Sequence, residues 1–369
     1  MKALTAALAL LLLVALCAGC RHHVPPRRVV APPTPVLPAL PAGGLRGIYL
    51  SGWAAGSSAL FAQNVALIDR TTLNAMVIDV KDAGRVSYAV DVPLAKEIGA
   101  DRHMIADIDG VIATLRAHRI FPIARIACFR DTRLAMAHPE LALQTRAGKV
   151  WRDTSGNAWL NPYDKRCWDY NIDLALDAAK HGFQEIQFDY VRFPNDAGLR
   201  KDIRYAGNGP GESRQQQIAA FVHYARMKLH PQGVYLSVDV FGLSSKENTR
   251  YADMGIGQTP TNILPEVDVL CPMVYPALYR AGEYNIADPA RAPYDTVLRS
   301  VSDTQKALRA YPACTLRPWL QDFSLHGVTY GPAQVKAEIA ALDALGIHSY
   351  LLWNAHCRYT EGALPRREF

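Results

Sequence analysis

The stretch EIQFDYVRFP, Glu185 to Pro194, sets an acid, Asp189, and a guanidinium, Arg192, in a run whose flanks are apolar. Two other apolar runs also carry acids. VYLSVDVFG (234–242) carries Asp239, and AMVIDVKD (75–82) carries Asp79 and Lys81. Breaking a glycosidic bond takes two carboxyl groups across that bond, one protonated as the acid and one ionised as nucleophile or base. Asp189 and Asp239 meet that need if their strands are neighbours. A cation beside Asp189 would favour its charged form, while a drier setting would keep Asp239 protonated.

Side chains alternate along a strand, so parity sorts each run into a face toward helices and a face toward an interior. Ile186 and Phe188 suit the helix side, which turns Gln187 and Asp189 inward. Leu236, Val238 and Val240 leave Ser237 and Asp239 inside, and Met76, Ile78 and Val80 leave Asp79 and Lys81 inside. In IFPIARIACF (120–129), Arg125 has the parity of Ile123 and Ala127 and is read as inward. In TLRPWLQDF (315–323), Arg317, Trp319 and Gln321 face inward, and Asp322 falls at the strand end, nominally outside. Arg192 lies an odd number of residues from Asp189 and so on the opposite face, which leaves Lys81 and Arg125 as the expected partners of that carboxylate. Buried charges must be mutually paired. Trp53, Tyr190, Phe193, Tyr275, Trp319 and Trp353 fall at or near strand C-terminal ends, where flat rings suit the apolar faces of sugars and acids suit their hydroxyls.

Those residues need a scaffold that points several strand ends at one place. From Leu45 onward, short β-branched runs alternate with helix-period segments, the pattern of a parallel sheet wrapped by helices. Eight runs are legible: 46–53, 75–82, 120–129, 185–194, 234–242, 267–276, 315–323 and 349–356. Helices are expected over 58–72, 105–118, 166–181, 214–229, 292–310 and 332–345, with a short or missing one between the fifth and sixth strands. The long connections, 129–165, 194–213, 242–265 and 276–291, all follow strands, whereas helix-to-strand links are short. Eight such units predict one α/β domain, a single (β/α)8 TIM barrel over 45–369 with its active face at the strand C-terminal ends. A doubly wound sheet is the alternative, but no Gly-rich phosphate turn follows the first strand.

Half of the 369 residues are hydrophobic and 20% are charged, which supports a sizeable core. The formal charge of +6 comes from scattered basic residues, with no basic stripe interleaved with aromatics, so nucleic acid is not the expected partner. Residues 1–20 read as an export signal, too short for an ordinary spanning helix. Ala18, Gly19 and Cys20 resemble a bacterial lipobox, which would lipidate Cys20 and tether the protein to a membrane; plain secretion is the alternative. By resemblance to such lipoproteins, Arg21 favours the outer membrane. Residues 21–44 hold seven prolines between Pro25 and Pro41 and read as a semi-rigid tether. The five later cysteines show no CxxC spacing, and neither a disulfide nor a zinc site is expected. HExxH, GxSxG and P-loop motifs are absent, and neither metal nor cofactor is implied.

The segments NAMVIDVKDAGRVSY, GKVWRDTSGNAWLNPYDKRCWDYNIDLALDAAKHGFQEIQFDYVRFP, DMGIGQ, CPMVYP and PWLQDF resemble the glycoside hydrolase-like domain of bacterial envelope proteins, formerly a domain of unknown function. The resemblance runs from Leu45 to the C-terminus. It implies a (β/α)8 barrel similar to the amylase type, with a nucleophile ending the fourth strand, an acid ending the fifth and a stabilising Asp ending the seventh. Asp189, Asp239 and Asp322 stand at those places. Three departures are visible: the acid is Asp239 rather than Glu, Gln187 stands where an Arg would precede the nucleophile by two residues, and Ala277 and Leu278 replace a Ser-His pair after MVYP.

The expectation is therefore an exported, envelope-tethered glycosidase acting on a polysaccharide through Asp189, Asp239 and Asp322. Trp53, Asp79, Lys81, Arg125, Tyr190, Arg192, Tyr275, Trp319, Gln321 and Trp353 are its candidate binding residues. The alternatives are a non-catalytic carbohydrate-binding barrel and a metal-dependent polysaccharide esterase or deacetylase.

Overall fold

The computed structural model describes residues 37–41, 43–196, 199–205, 213–246 and 254–367. The export signal, Cys20 and most of the proline-rich stretch lie outside the described residues. The eight apolar runs become eight parallel strands: β1 (Arg46–Leu50), β2 (Ala75–Asp82), β3 (Phe121–Ala127), β4 (Glu185–Asp189), β5 (Tyr235–Phe241), β6 (Val269–Val274), β7 (Trp319–Gln321) and β8 (Tyr350–Trp353). Each pairs with the next, and β8 returns to β1 with Arg46 opposite Tyr350. Closure leaves the barrel no open edge and rules out the doubly wound alternative. Pro318 has no amide hydrogen to donate. Between the Thr315–Leu316 ladder and β7, it marks a break in the seventh strand.

The helices that carry the chain from one strand to the next are, among the described residues, α1 (Ser58–Arg70), α2 (Ile108–Ala117), α3 (Lys165–His181), α4 (Arg214–Leu229), α5 (Pro260–Ile263), α6 (Pro293–Leu308) and α7 (Pro332–Ala344), with shorter helical turns in the loops. Their starts were written locally. Ser57, Asp107, Asp164 and Ser213 each accept a backbone N–H of the first turn. At the other end of α3, Gly182 takes the left-handed conformation (φ 101°) that stops a helix. The weak helix expected between the fifth and sixth strands is α5, a single turn between Pro260 and Pro265. No α-helix follows β8 among the described residues; instead the chain returns to β1 and α1. There Tyr359 Oη accepts from Tyr49 N at 2.9 Å and donates to Tyr49 O at 2.5 Å, and Thr72 N donates to Pro365 O at 3.0 Å.

The outward residues assigned by parity on β2, β4 and β5 are all fully buried and form the layer between barrel and helices. Phe188, for example, packs against Phe221 of α4 with ring centroids 5.6 Å apart. One parity assignment fails. The β2–β3 register slips by a residue between Asp79 and Lys81, a bulge that sends Lys81 out of the interior. Lys81 Nζ donates to Asp131 Oδ2 at 2.9 Å and to Cys128 O at 3.2 Å, and it stands 5.1 Å from the Tyr170 ring of α3. It is a buried strut between barrel and helix, not a counter-charge for Asp189. Farther down the interior, Arg317 makes a two-pronged pair with Glu185 at 3.0 and 2.9 Å.

Candidate active site

At the C-terminal ends of β2 to β5, three carboxylates converge on one guanidinium. Arg125 Nη1 donates to Asp79 Oδ1 at 2.5 Å and Nη2 to Asp189 Oδ2 at 2.5 Å; Nε lies 3.8 Å from Asp239 Oδ2. The planar fork of an arginine suits such division between acids, because its donors point in fixed and different directions. Tyr49 Oη donates to the other oxygen of Asp79 at 2.5 Å, and Trp319 Nε1 donates to Asp239 Oδ1 at 2.8 Å. Asp189 is 6% exposed and Asp239 1%, so Asp189 is the more open of the pair.

Three acids facing one cation leave an excess of negative charge, which a proton relieves. Burial, and then the charge of Asp189, push the Asp239 carboxyl well above its ordinary range, against the opposing pull of Arg125 and Trp319. Burial also raises Asp79, to about 6, although Arg125 opposes it. For Arg125, burial works against the charge, but Asp79 and Asp189 outweigh it and hold the guanidinium well above its ordinary value. The arrangement therefore favours a protonated carboxyl at the end of β5 next to an ion-paired carboxylate at the end of β4.

Rings close the cluster on one side. Trp353 stacks on Tyr49 with centroids 4.0 Å apart and meets the edge of Trp319 at 5.6 Å, and Arg125 lies 5.3 Å from the Trp353 ring. Tyr275 is buried and packs edge-on to Phe323. Trp53, on the one-turn helix Gly52–Gly56 after β1, is 67% exposed. Tyr190 breaks the β4 strand with φ 51°, a left-handed value unfavourable for a bulky side chain. Its backbone N–H donates to Asp189 Oδ1 at 2.5 Å.

Other expected site residues are held elsewhere. Asp322 accepts from Thr360 N at 2.8 Å and Thr360 Oγ1 at 2.5 Å; burial raises it and these two bonds oppose the rise. It has no hydrogen bond or ion pair to the Arg125 cluster. Gln321 spends its amide on backbone, accepting from Ala277 N and donating to Phe323 O. Arg192 stays apart from Asp189 as parity required and lies among rings.

Two contributors escaped the sequence reading. Tyr49 shares the inward parity of Gly47 on β1, so alternation could have found it. Gln258 donates to Val191 O and Asp239 O at 3.2 and 3.1 Å and so ties the ends of β4 and β5 together; nothing in its residue type announces that role.

Residues 47–359 match the family model described as "Putative glycosyl hydrolase domain". No curated protein matches the chain. Among solved structures, a hypothetical protein from Ruminiclostridium thermocellum ATCC 27405 is 40% identical over 52% of this chain and 97% of that one, with a TM-score of 0.48. The alpha-galactosidase TtGalA from Thermus thermophilus, in complex with stachyose, is 14% identical over 89% of this chain and 65% of its own, with a TM-score of 0.55. The chain thus spans just under two thirds of that enzyme. The spore cortex-lytic enzyme SleL from Bacillus megaterium QM B1551 is 10% identical over 90% of this chain and 74% of its own, with a TM-score of 0.51. The likeness to these last two is one of fold.

Proposed function

As the chain belongs to this glycosyl hydrolase family through residues 47–359, and so stands among the glycosidases, we propose that it hydrolyses a polysaccharide by two-carboxylate catalysis at the Arg125 cluster. The observation that carries the reading is the pairing of an ion-paired Asp189 with an Asp239 whose proton is favoured by burial and by its neighbour's charge. Asp239 gives its proton to the leaving oxygen, and Asp189, the more open acid, attacks the sugar or activates water. Asp79 and Tyr49 hold Arg125 in place from the other side. Trp53, Tyr190 and Trp353 offer ring faces to the sugars, and Asp322, held by Thr360 at the end of β7, is a further acid of the barrel's C-terminal face.

The export signal and Cys20 lipobox support a place in the cell envelope, on a lipid anchor that favours the outer membrane, and hence an envelope or extracellular polysaccharide as substrate. The test is a screen of the purified protein against envelope glycans with products detected by mass spectrometry. Asp189→Asn and Asp239→Asn should each cut turnover by roughly 10²–10⁴-fold with unchanged circular dichroism. Full activity in either variant sinks the assignment of that residue.

A further inference from the structure

We infer that the substrate carries an acidic group and that Arg192 receives it, an inference that rests on the glycosidase reading above and narrows its substrate class. Arg192 is 7% exposed, yet no carboxylate among the described residues lies within ion-pairing distance of it. Its side-chain hydrogen bond among those residues runs from Nη1 to Phe193 O at 3.1 Å. The guanidinium otherwise rests against three rings, 4.9 Å from Trp159, 5.1 Å from Tyr190 and 4.8 Å from Phe241. Among the described residues, every other buried cation of the barrel has its acid: Lys81 has Asp131, Arg125 has Asp79 and Asp189, and Arg317 has Glu185.

Position gives the missing acid a source. Tyr190 follows Asp189, and Phe241 lies two residues beyond Asp239 on the same strand, so the rings that hold Arg192 belong to the two strand ends that carry the proposed catalytic acids. A second guanidinium, Arg130, lies 3.7 Å from the same Tyr190 ring while pairing with Asp82 at 3.2 Å. Burial draws the Arg192 pKa down to about 10 and Arg130 adds to the pull, against Tyr190, Asp189 and Asp196; the side chain remains charged at neutral pH. A weakly hydrated, ring-bound guanidinium with a single side-chain hydrogen bond among the described residues suits a planar anion, which it grips through two parallel hydrogen bonds. Such a cation also offsets the repulsion that Asp189 and Asp79 would exert on an acidic sugar.

The experiment is isothermal titration calorimetry on the purified full-length protein carrying Asp189→Asn, so that turnover does not disturb binding. The probes are tetrasaccharides of galacturonate, mannuronate and hyaluronan, each beside its carboxyl-reduced neutral form, and chitotetraose beside its 6-sulfated and 6-phosphorylated forms. At least one acidic probe should bind about tenfold or more tighter than its neutral partner, and the uronate and ester arms say which anion is meant. That gap should close in Arg192→Gln and persist in part in Arg192→Lys. Equal binding of acidic and neutral forms throughout, or a gap that survives in folded Arg192→Gln, overturns the inference; if Arg192→Gln fails to fold, the wild-type Arg192 comparison of acidic with neutral probes still decides. Hydrolysis of a neutral glycan without acidic preference defeats this inference and leaves the glycosidase reading standing. Acidic preference without turnover of any glycan by the enzyme with Asp189 intact does the reverse.

Discussion

At the residue scale, the proton on Asp239 is the quantity most open to measurement. Trp319 donates to Asp239 Oδ1, and that bond favours the ionised form and so lowers the carboxyl pKa against burial. Trp319→Phe removes the donor and keeps most of the ring, leaving the Asp239 pKa higher still. An acid catalyst works while protonated, so activity falls as pH rises through its pKa. The descending alkaline limb of kcat/KM should therefore move to higher pH in Trp319→Phe, read from a pH–rate profile; an unmoved limb would mean that Asp239 is not the titrating acid. The departure at Gln187 also finds its explanation among residues. Gln187 brings no charge to Asp189; the guanidinium that reaches this carboxylate comes from Arg125 of the neighbouring strand.

At the scale of elements, the bulge in β2 separates two charges that simple alternation places together. Asp79 stays in the interior, while Lys81 is turned toward α3 and pairs with Asp131, with both side chains at zero exposure. Asp131 also caps the short helix Thr132–Ala137 through Leu134 N. Lys81→Met strands a buried carboxylate and should cost ~3–5 kcal/mol of stability by urea denaturation. Adding Asp131→Asn removes the orphaned charge, keeps an oxygen for the cap, and should recover most of the loss. If the double variant is no more stable than the single, the pair is not what holds β2 to the helix layer.

For the whole molecule, the seam between β8 and β1 is closed by the returning C-terminal segment. Tyr359 satisfies both backbone groups of Tyr49, and Tyr49 in turn holds Asp79. Tyr359→Phe leaves these groups without their partner and should cost about 1–3 kcal/mol. Since Tyr49 leads to the Arg125 cluster, a fall in kcat should accompany the loss of stability, whereas a variant that unfolds earlier but turns over normally would show that the seam and the site are independent.

The eight strands, the six long helices and the inward acids Asp79, Asp189 and Asp239 were legible in the sequence because alternation, capping residues and Gly182 act over a few neighbouring residues. Whether the sheet closes, where a strand slips by one residue, and which cation meets which acid depend on contacts between residues far apart in the chain. Asp322 shows the limit: its place at the end of the seventh strand was visible, but its capture by Thr360 belongs to a segment 38 residues later. Chain order and residue type determined a barrel with acids at its mouth. Only tertiary structure decided that Arg125 joins three of them, that Lys81 faces the helices and that Arg192 is buried among rings with no acid paired to it among the described residues, because pairing of buried charges is settled by packing geometry and not by spacing along one strand.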